Sequence, residues 1–185
     1  IPLFKSYVSW RSAWNACILL IKSNYGTYLG ERPEVKAFEK EFAEKFGFEH
    51  VAAVNSGSVA LELAYELAGI GEADEVIIPV LTHPASGLPA LHRKATVVFA
   101  DIGPDLNVSV EDVRNKITSR TKAVVFVHFG GNNRGLKELL AFCQEKKLVL
   151  IEDAAQAVGS DFWGKADFTC VSLQAIKTLT SGDGG

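Results

Sequence analysis

The chain has 185 residues, 48% of them hydrophobic and 22% charged, with a formal net charge of −3. This is the composition of a globular domain with one sizeable core, and its interspersed acids and bases leave no basic patch for nucleic acid or a membrane surface. No apolar run is long enough to span a bilayer, and the longest near the start, residues 16–21, does not make a signal peptide.

Residues 1–30, which hold Trp10, Trp14 and a turn region at 25–28, read as an arm or edge helix. A helix is predicted over 34–46, with Val35, Phe38, Phe42 and Phe46 on one face. Then an alternation begins. HVAAVN (50–55) reads as a short buried strand, 58–68 as a helix ended by Gly69, and 75–80 as a strand. A helix over 85–93 and a strand over 96–102 follow. Ser109 suits the N-cap of a helix over 109–117, with Asp112 where a capping box would place its acid. A strand over 121–129 precedes a helix over 136–147 whose basic end suits a helix C-terminus. The strands 148–152 and 168–173 complete the pattern. Val- and Ile-rich strands joined by helices predict an α/β fold of three layers, a mostly parallel central sheet flanked by helices on both faces.

In such sheets ligands gather at the carboxyl ends of the strands, so the residues there are the candidates. Asn55-Ser56-Gly57-Ser58 opens a helix and offers either an anion site or a plain cap. His83, between Thr82 and Pro84, sits in a rigid turn and could stack on a ring, carry protons, or do neither. His128 stands before Gly130 and Gly131, which permit close backbone approach; its alternative is a hydrogen-bonded histidine at a strand end. Asp153 ends the run LVLI-Glu152 and needs a partner, whether a cation, a metal or a protonated ring nitrogen. Glu152 would point to the opposite face and is the weaker candidate. Histidine and cysteine spacings show no zinc pattern, and there is no nucleophile elbow, so no metal site is expected. Lys177 is alone in an apolar and hydroxyl-bearing stretch, either a surface lysine or an amine suited to a Schiff base. Taken together, an anion-binding helix start, a stacking residue, an acid and an amine match a cofactor carrying phosphate, a pyridine nitrogen and an aldehyde. The three scattered cysteines point to a reducing cytoplasm, and a chain that begins at Ile1 and has no methionine is expected to be partial.

The segments NSGSVAL (55–61), DEVIIP (74–79) with Thr82, TSRTKA (118–123), VHFG (127–130), IEDAAQA (151–157) and SLQAIKTLTSGDGG (172–185) resemble the DegT/DnrJ/EryC1/StrS family of sugar aminotransferases. These are pyridoxal-phosphate enzymes of fold type I. The resemblance implies that Lys177 forms the internal aldimine and shuttles protons, and that Asp153 pairs with the pyridinium nitrogen. It implies Gln156 near the phenolic oxygen, and Gly57, Ser58 and Ser172 on the phosphate. His83 takes the place of an aromatic residue stacked on the ring. The implied reaction moves an amino group, usually from glutamate, to a keto group of a nucleotide-linked sugar. Implied too are a cytoplasmic homodimer or higher oligomer, and a family length roughly twice this one. Residues 1–185 would then be an incomplete cofactor-binding large domain with an N-terminal arm, the small C-terminal domain being absent. Two other expectations stand beside this one: a catalytically inactive remnant that folds and oligomerises, and a sugar dehydratase. The dehydratases carry histidine at the aldimine position, and Lys177 speaks against them.

Overall fold

The computed structural model describes residues 9–22 and 32–185. The chain divides into two compact units, Ile1–Ala53 and Val54–Gly185. The first unit contains α1 (Trp10–Lys22) and α2 (Pro33–Phe46). Trp10 and Trp14 are exposed on α1, and the turn region expected at 25–28 lies outside the described residues. Pro33 opens α2, where its missing N–H costs nothing. Gly47 ends the helix in the left-handed conformation, φ 73°, and donates its N–H to the Ala43 carbonyl at 2.8 Å. The expected aromatic face is present: Phe42 is buried between Phe38 and Phe46, with ring centroids 5.6 and 4.7 Å away.

The second unit is a sheet of five parallel strands, β1 (Glu75–Pro79), β2 (Thr96–Ala100), β3 (Thr121–Val127), β4 (Val149–Asp153) and β5 (Phe168–Cys170). Their spatial order is β2-β1-β3-β4-β5. From β1 the chain steps outward to β2 and then crosses back to β3, so the connections diverge between β1 and β3. Such a switch point opens a crevice outside the carboxyl ends of the strands.

The helices are α3 (Gly57–Leu67), α4 (Leu88–His92), α5 (Val110–Lys116) and α6 (Leu136–Lys146). The pleat sends alternate residues to opposite faces. Val76, Ile78, Ala123, Val125, Ile151 and Cys170 pack against Leu61, Ala64 and Tyr65 of α3 and Ala90 of α4. Ile77, Val124, Phe126 and Leu150 pack against Val113 of α5 and Leu136, Leu139 and Phe142 of α6. This is the three-layer α/β arrangement predicted. Arg93 clips α4 to α3 through the Glu62 carboxylate at 2.6 Å and the Glu62 carbonyl at 2.8 Å. Among the described residues no helix is long and apolar enough to cross a membrane.

Four local expectations are corrected. HVAAVN forms no strand; among the described residues its pairing is limited to mutual bonds between Val54 and Gly185, with a single bridge between Ser56, just after it, and Gly184. That contact is too short to propagate a ladder. The helix expected at 58–68 begins one residue earlier, capped by Ser56, whose hydroxyl accepts from the Val59 N–H at 3.2 Å. The helix expected at 85–93 is split into a 3₁₀ turn, Pro84–Ser86, and α4. Gly87 separates them where a Cβ would stand 2.8 Å from Ile78 Cδ1, and Pro89 has no N–H with which to continue the turn. Ser109 caps α5 through the Asp112 N–H at 3.2 Å, but the Asp112 carboxylate does not return to the cap. It accepts from the Asp101 N–H at 2.6 Å and meets Lys116 at 2.8 Å, so the reciprocal half of the box is missing. Ser109→Ala should therefore lose a single cap bond and cost about 1 kcal/mol, read as a shift of the urea midpoint.

Candidate active site

Asp153 is the last residue of β4, with 6% of its surface exposed. Its Oδ2 accepts from the Ser86 hydroxyl at 2.6 Å and its Oδ1 from the Ala155 N–H at 3.2 Å. Ser86 in turn lies 2.6 Å from the Thr82 hydroxyl, and its carbonyl accepts from the Tyr65 hydroxyl at 2.5 Å. The partner of the strand-end acid within the protein is thus a buried serine from the loop after β1. Burial drives the Tyr65 phenol well above its ordinary pKa, so it stays protonated and donates. Burial, with the Asp153 and Glu152 charges adding, pushes the Cys170 thiol up to about 12, which makes it packing rather than a nucleophile.

Glu152 points to the other face, as the pleat requires. It is fully buried and accepts from the N–H groups of Gly164 at 2.8 Å, Lys165 at 2.7 Å and Ala166 at 2.8 Å. His128 Nε2 lies 2.7 Å from its Oε2. Burial works to raise the pKa of Glu152, but the His128 bond and the three amides outweigh it and hold the carboxyl below the usual range. His128, of the two readings left open for it, takes the hydrogen-bonded one; the Glu152 carboxylate can only accept, so Nε2 carries the proton of that bond, while Nδ1 is buried with no hydrogen-bond partner among the described residues.

The other candidates surround the carboxyl edge. Asp153 is in register with Cys170 of β5, and the Ala154 N–H donates to the Cys170 carbonyl at 2.8 Å. Ser172 follows two residues later, and Gly57 at the start of α3 lies against it: a Cβ on Gly57 would be 2.9 Å from Ser172 Cβ. Ser58 is exposed in the first turn of α3. Gln156 is exposed and accepts from the Gly130 N–H through Oε1 at 2.8 Å, leaving its NH₂ to donate elsewhere. Gly131 approaches the Gln156 carbonyl closely, its absent Cβ being only 3.0 Å away; of the two glycines it alone makes the expected close approach, since a Cβ on Gly130 would meet open space. His83 is exposed and its Nδ1 accepts from the Ala85 N–H at 3.2 Å, which fixes the ring at the turn. Lys177 is half-buried, and its N–H donates to the Gln174 carbonyl at 2.9 Å. Among the described residues no hydrogen bond or ion pair joins the Lys177 ammonium to another side chain.

The structure therefore joins Asp153 to the β1 loop, Gly57 to Ser172, and Gln156 to the β3 loop, while Lys177 and His83 each stand apart. Ser86 and Tyr65 are the residues sequence reasoning missed. A tyrosine within the otherwise apolar face of α3 was the available signal, since a buried phenol needs a partner.

A parallel sheet covered by helices on both faces, with an acid ending β4 and an amine after β5, defines an α/β fold that gathers its ionisable groups at the carboxyl edge of the sheet. The chain belongs to the DegT/DnrJ/EryC1/StrS aminotransferase family, whose model matches residues 15–185. It is 43% identical over 157 residues to GDP-perosamine synthase of Vibrio cholerae, covering 82% of this chain and 43% of that protein. The solved aminotransferase TlmJ from Streptoalloteichus hindustanus superposes with a TM-score of 0.91 at 33% identity, over all of this chain and 51% of that one. Spr1654 from Streptococcus pneumoniae, solved in a PLP form, gives 0.87 at 26% identity, over 100% and 52%. The chain thus spans less than half the length of the curated relative it matches and about half of the solved chains.

Proposed function

We propose that this chain is the cofactor-binding part of a pyridoxal-phosphate-dependent aminotransferase that acts on a nucleotide-linked keto sugar, with glutamate as amino donor. It would work in the cytoplasm as a homodimer or higher oligomer. The observation that carries the reading is Asp153: a nearly buried carboxylate at the end of β4, in register with the strand that leads to Ser172 and the start of α3. Family membership and the likeness to a GDP-perosamine synthase support the substrate class.

The residues present suit the cofactor. The first turn of an eleven-residue helix offers N–H groups and a positive dipole end to a phosphate, with the Ser172 hydroxyl beside it. The Asp153 carboxylate is matched to a ring nitrogen, and Lys177 supplies a primary amine to an aldehyde. When bound, the cofactor supplies an electron sink next to the substrate's amino-bearing carbon.

The chain's own side chains have distinct tasks. Gly57, Ser58 and Ser172 bind phosphate. Asp153 holds a proton at the ring nitrogen, which keeps the ring electron-poor. Gln156 would offer its NH₂ to the phenolic oxygen, and the His83 imidazole would be the group available to stack on the ring. Lys177 Nζ takes and returns the proton exchanged during amino transfer.

Incubation with pyridoxal phosphate, borohydride reduction and peptide mapping test this. The expected result is a single pyridoxyl label on Lys177, absent in Lys177→Ala. Labelling spread evenly over the surface lysines, or none at all, would overturn it.

A further inference from the structure

We propose that Ser86, backed by Thr82, is the positioning residue for Asp153, a one-way pair of hydroxyl hydrogen bonds that aims the carboxylate at the ring nitrogen. This rests on the reading of Asp153 given above.

The direction of the chain follows from counting hydrogens. A serine hydroxyl has one hydrogen, and that of Ser86 goes to Asp153 Oδ2 at 2.6 Å. The 2.6 Å contact with Thr82 must then be donated by Thr82. Thr82 donates to Ser86 and Ser86 to Asp153, each bond polarising the next, and the second of them is buried. Ser86 is itself held at every polar atom. Its N–H donates to the His83 carbonyl at 3.0 Å, its carbonyl accepts from Tyr65 at 2.5 Å, and none of its surface is exposed.

The backbone around it is equally constrained. His83 caps the 3₁₀ turn Pro84–Ser86 through its Nδ1, and Gly87 lets the turn close onto Ile78 of β1. The serine thus reaches from the loop after β1, past the end of β3, to the acid on β4. With Oδ2 occupied by Ser86 and Oδ1 by the Ala155 N–H, the carboxylate has one orientation, and its remaining lone pairs have a fixed direction. An acid able to rotate would meet a ring nitrogen in several poses. This one meets it in one.

The test uses two probes that cannot link to lysine: pyridoxamine phosphate, and its analogue with C–H in place of the ring nitrogen. Their dissociation constants are measured by fluorescence titration for the parent chain, Ser86→Ala, Ser86→Thr and Thr82→Val. The parent should prefer the nitrogen-containing probe. In Ser86→Ala that preference should fall by about tenfold while affinity for the analogue holds, because only the nitrogen contact depends on the aim of Asp153. Ser86→Thr, which keeps the hydroxyl, should restore it. Thr82→Val should show a smaller fall, and serves as the deciding variant if Ser86→Ala does not fold, as judged by circular dichroism.

A parental preference that survives in both Ser86→Ala and Thr82→Val overturns the positioning role and leaves the reading of Asp153 standing. Equal weakening toward both probes also overturns it, since that is the mark of a merely structural serine. No preference in the parent overturns the reading of Asp153, and the role of Ser86 with it.

Discussion

Glu152→Ala should cost the chain about 3–5 kcal/mol of unfolding free energy, because it removes one side of a fully buried pair. The side chain lies under β4 with no exposure, and its removal orphans four donors at once: His128 Nε2–H and the N–H groups of Gly164, Lys165 and Ala166. Each buried donor left without an acceptor keeps its desolvation penalty. Glu152→Gln, which keeps the shape, should cost less but not nothing, since an amide NH₂ must then face an N–H. Urea denaturation reads both as midpoint shifts at constant m. The dependence on pH has a definite sign. The folded carboxyl is held below its ordinary pKa, so its contribution is complete above the unfolded value of about 4.3 and is lost as pH falls through the folded one. Glu75 is also depressed, by the Thr118 hydroxyl above all, so acid destabilises the parent through more than one group. The difference between parent and Glu152→Gln isolates Glu152: it should shrink as pH falls below about 4.3. A difference that stayed constant from neutrality into acid would refute this account of the buried carboxylate.

Gly57→Val should abolish binding of a phosphate-bearing cofactor while costing about 1–3 kcal/mol of stability. A Cβ at this position would stand 2.9 Å from Ser172 Cβ, 3.2 Å from Ser172 Cα and 3.2 Å from the Val171 carbonyl oxygen. Two of those atoms are backbone and cannot swing aside, so the start of α3 must part from the segment after β5. The glycine is not in the left-handed region, so the effect is one of space and not of backbone strain. Gly71→Ala is the control. It has open space where the methyl would go and an ordinary φ, and should be neutral or slightly stabilising. Titration with pyridoxamine phosphate reads the binding effect. Unchanged affinity in Gly57→Val would show that the phosphate lies elsewhere.

The parts of this protein legible in its sequence are those set by local pattern. The Val- and Ile-rich runs at 75–79 and 121–127 are strands because β-branched side chains fit a pleat buried on both sides. Ser109 marks the start of α5 because a hydroxyl there satisfies an N–H that the helix cannot. HVAAVN has the same apolar character and still forms no strand, since a strand exists only with a neighbour, and among the described residues its end meets just Gly184 and Gly185. Asp112 holds the capping-box position, yet its carboxylate is taken by the Asp101 amide and by Lys116. In both cases a partner outside the local window decided the outcome.

The chemistry divides in the same way. The sequence by itself determined the kinds of group present: an acid ending an apolar strand, an amine after the last strand, a glycine-serine helix start, and the family to which they belong. Each is a local fact, carried by the two-residue period of strands, the 3.6-residue period of helices and the cost of burying an unpaired charge. Only the tertiary structure decided what each group touches. The pleat sent Glu152 and Asp153 to opposite faces, and the strand order β2-β1-β3-β4-β5 then chose their partners. Glu152 met amides 12 to 14 residues ahead, and Asp153 met a serine 67 residues behind. Contacts across that distance depend on how strands are ordered in space, and that order is a property of the packed sheet as a whole.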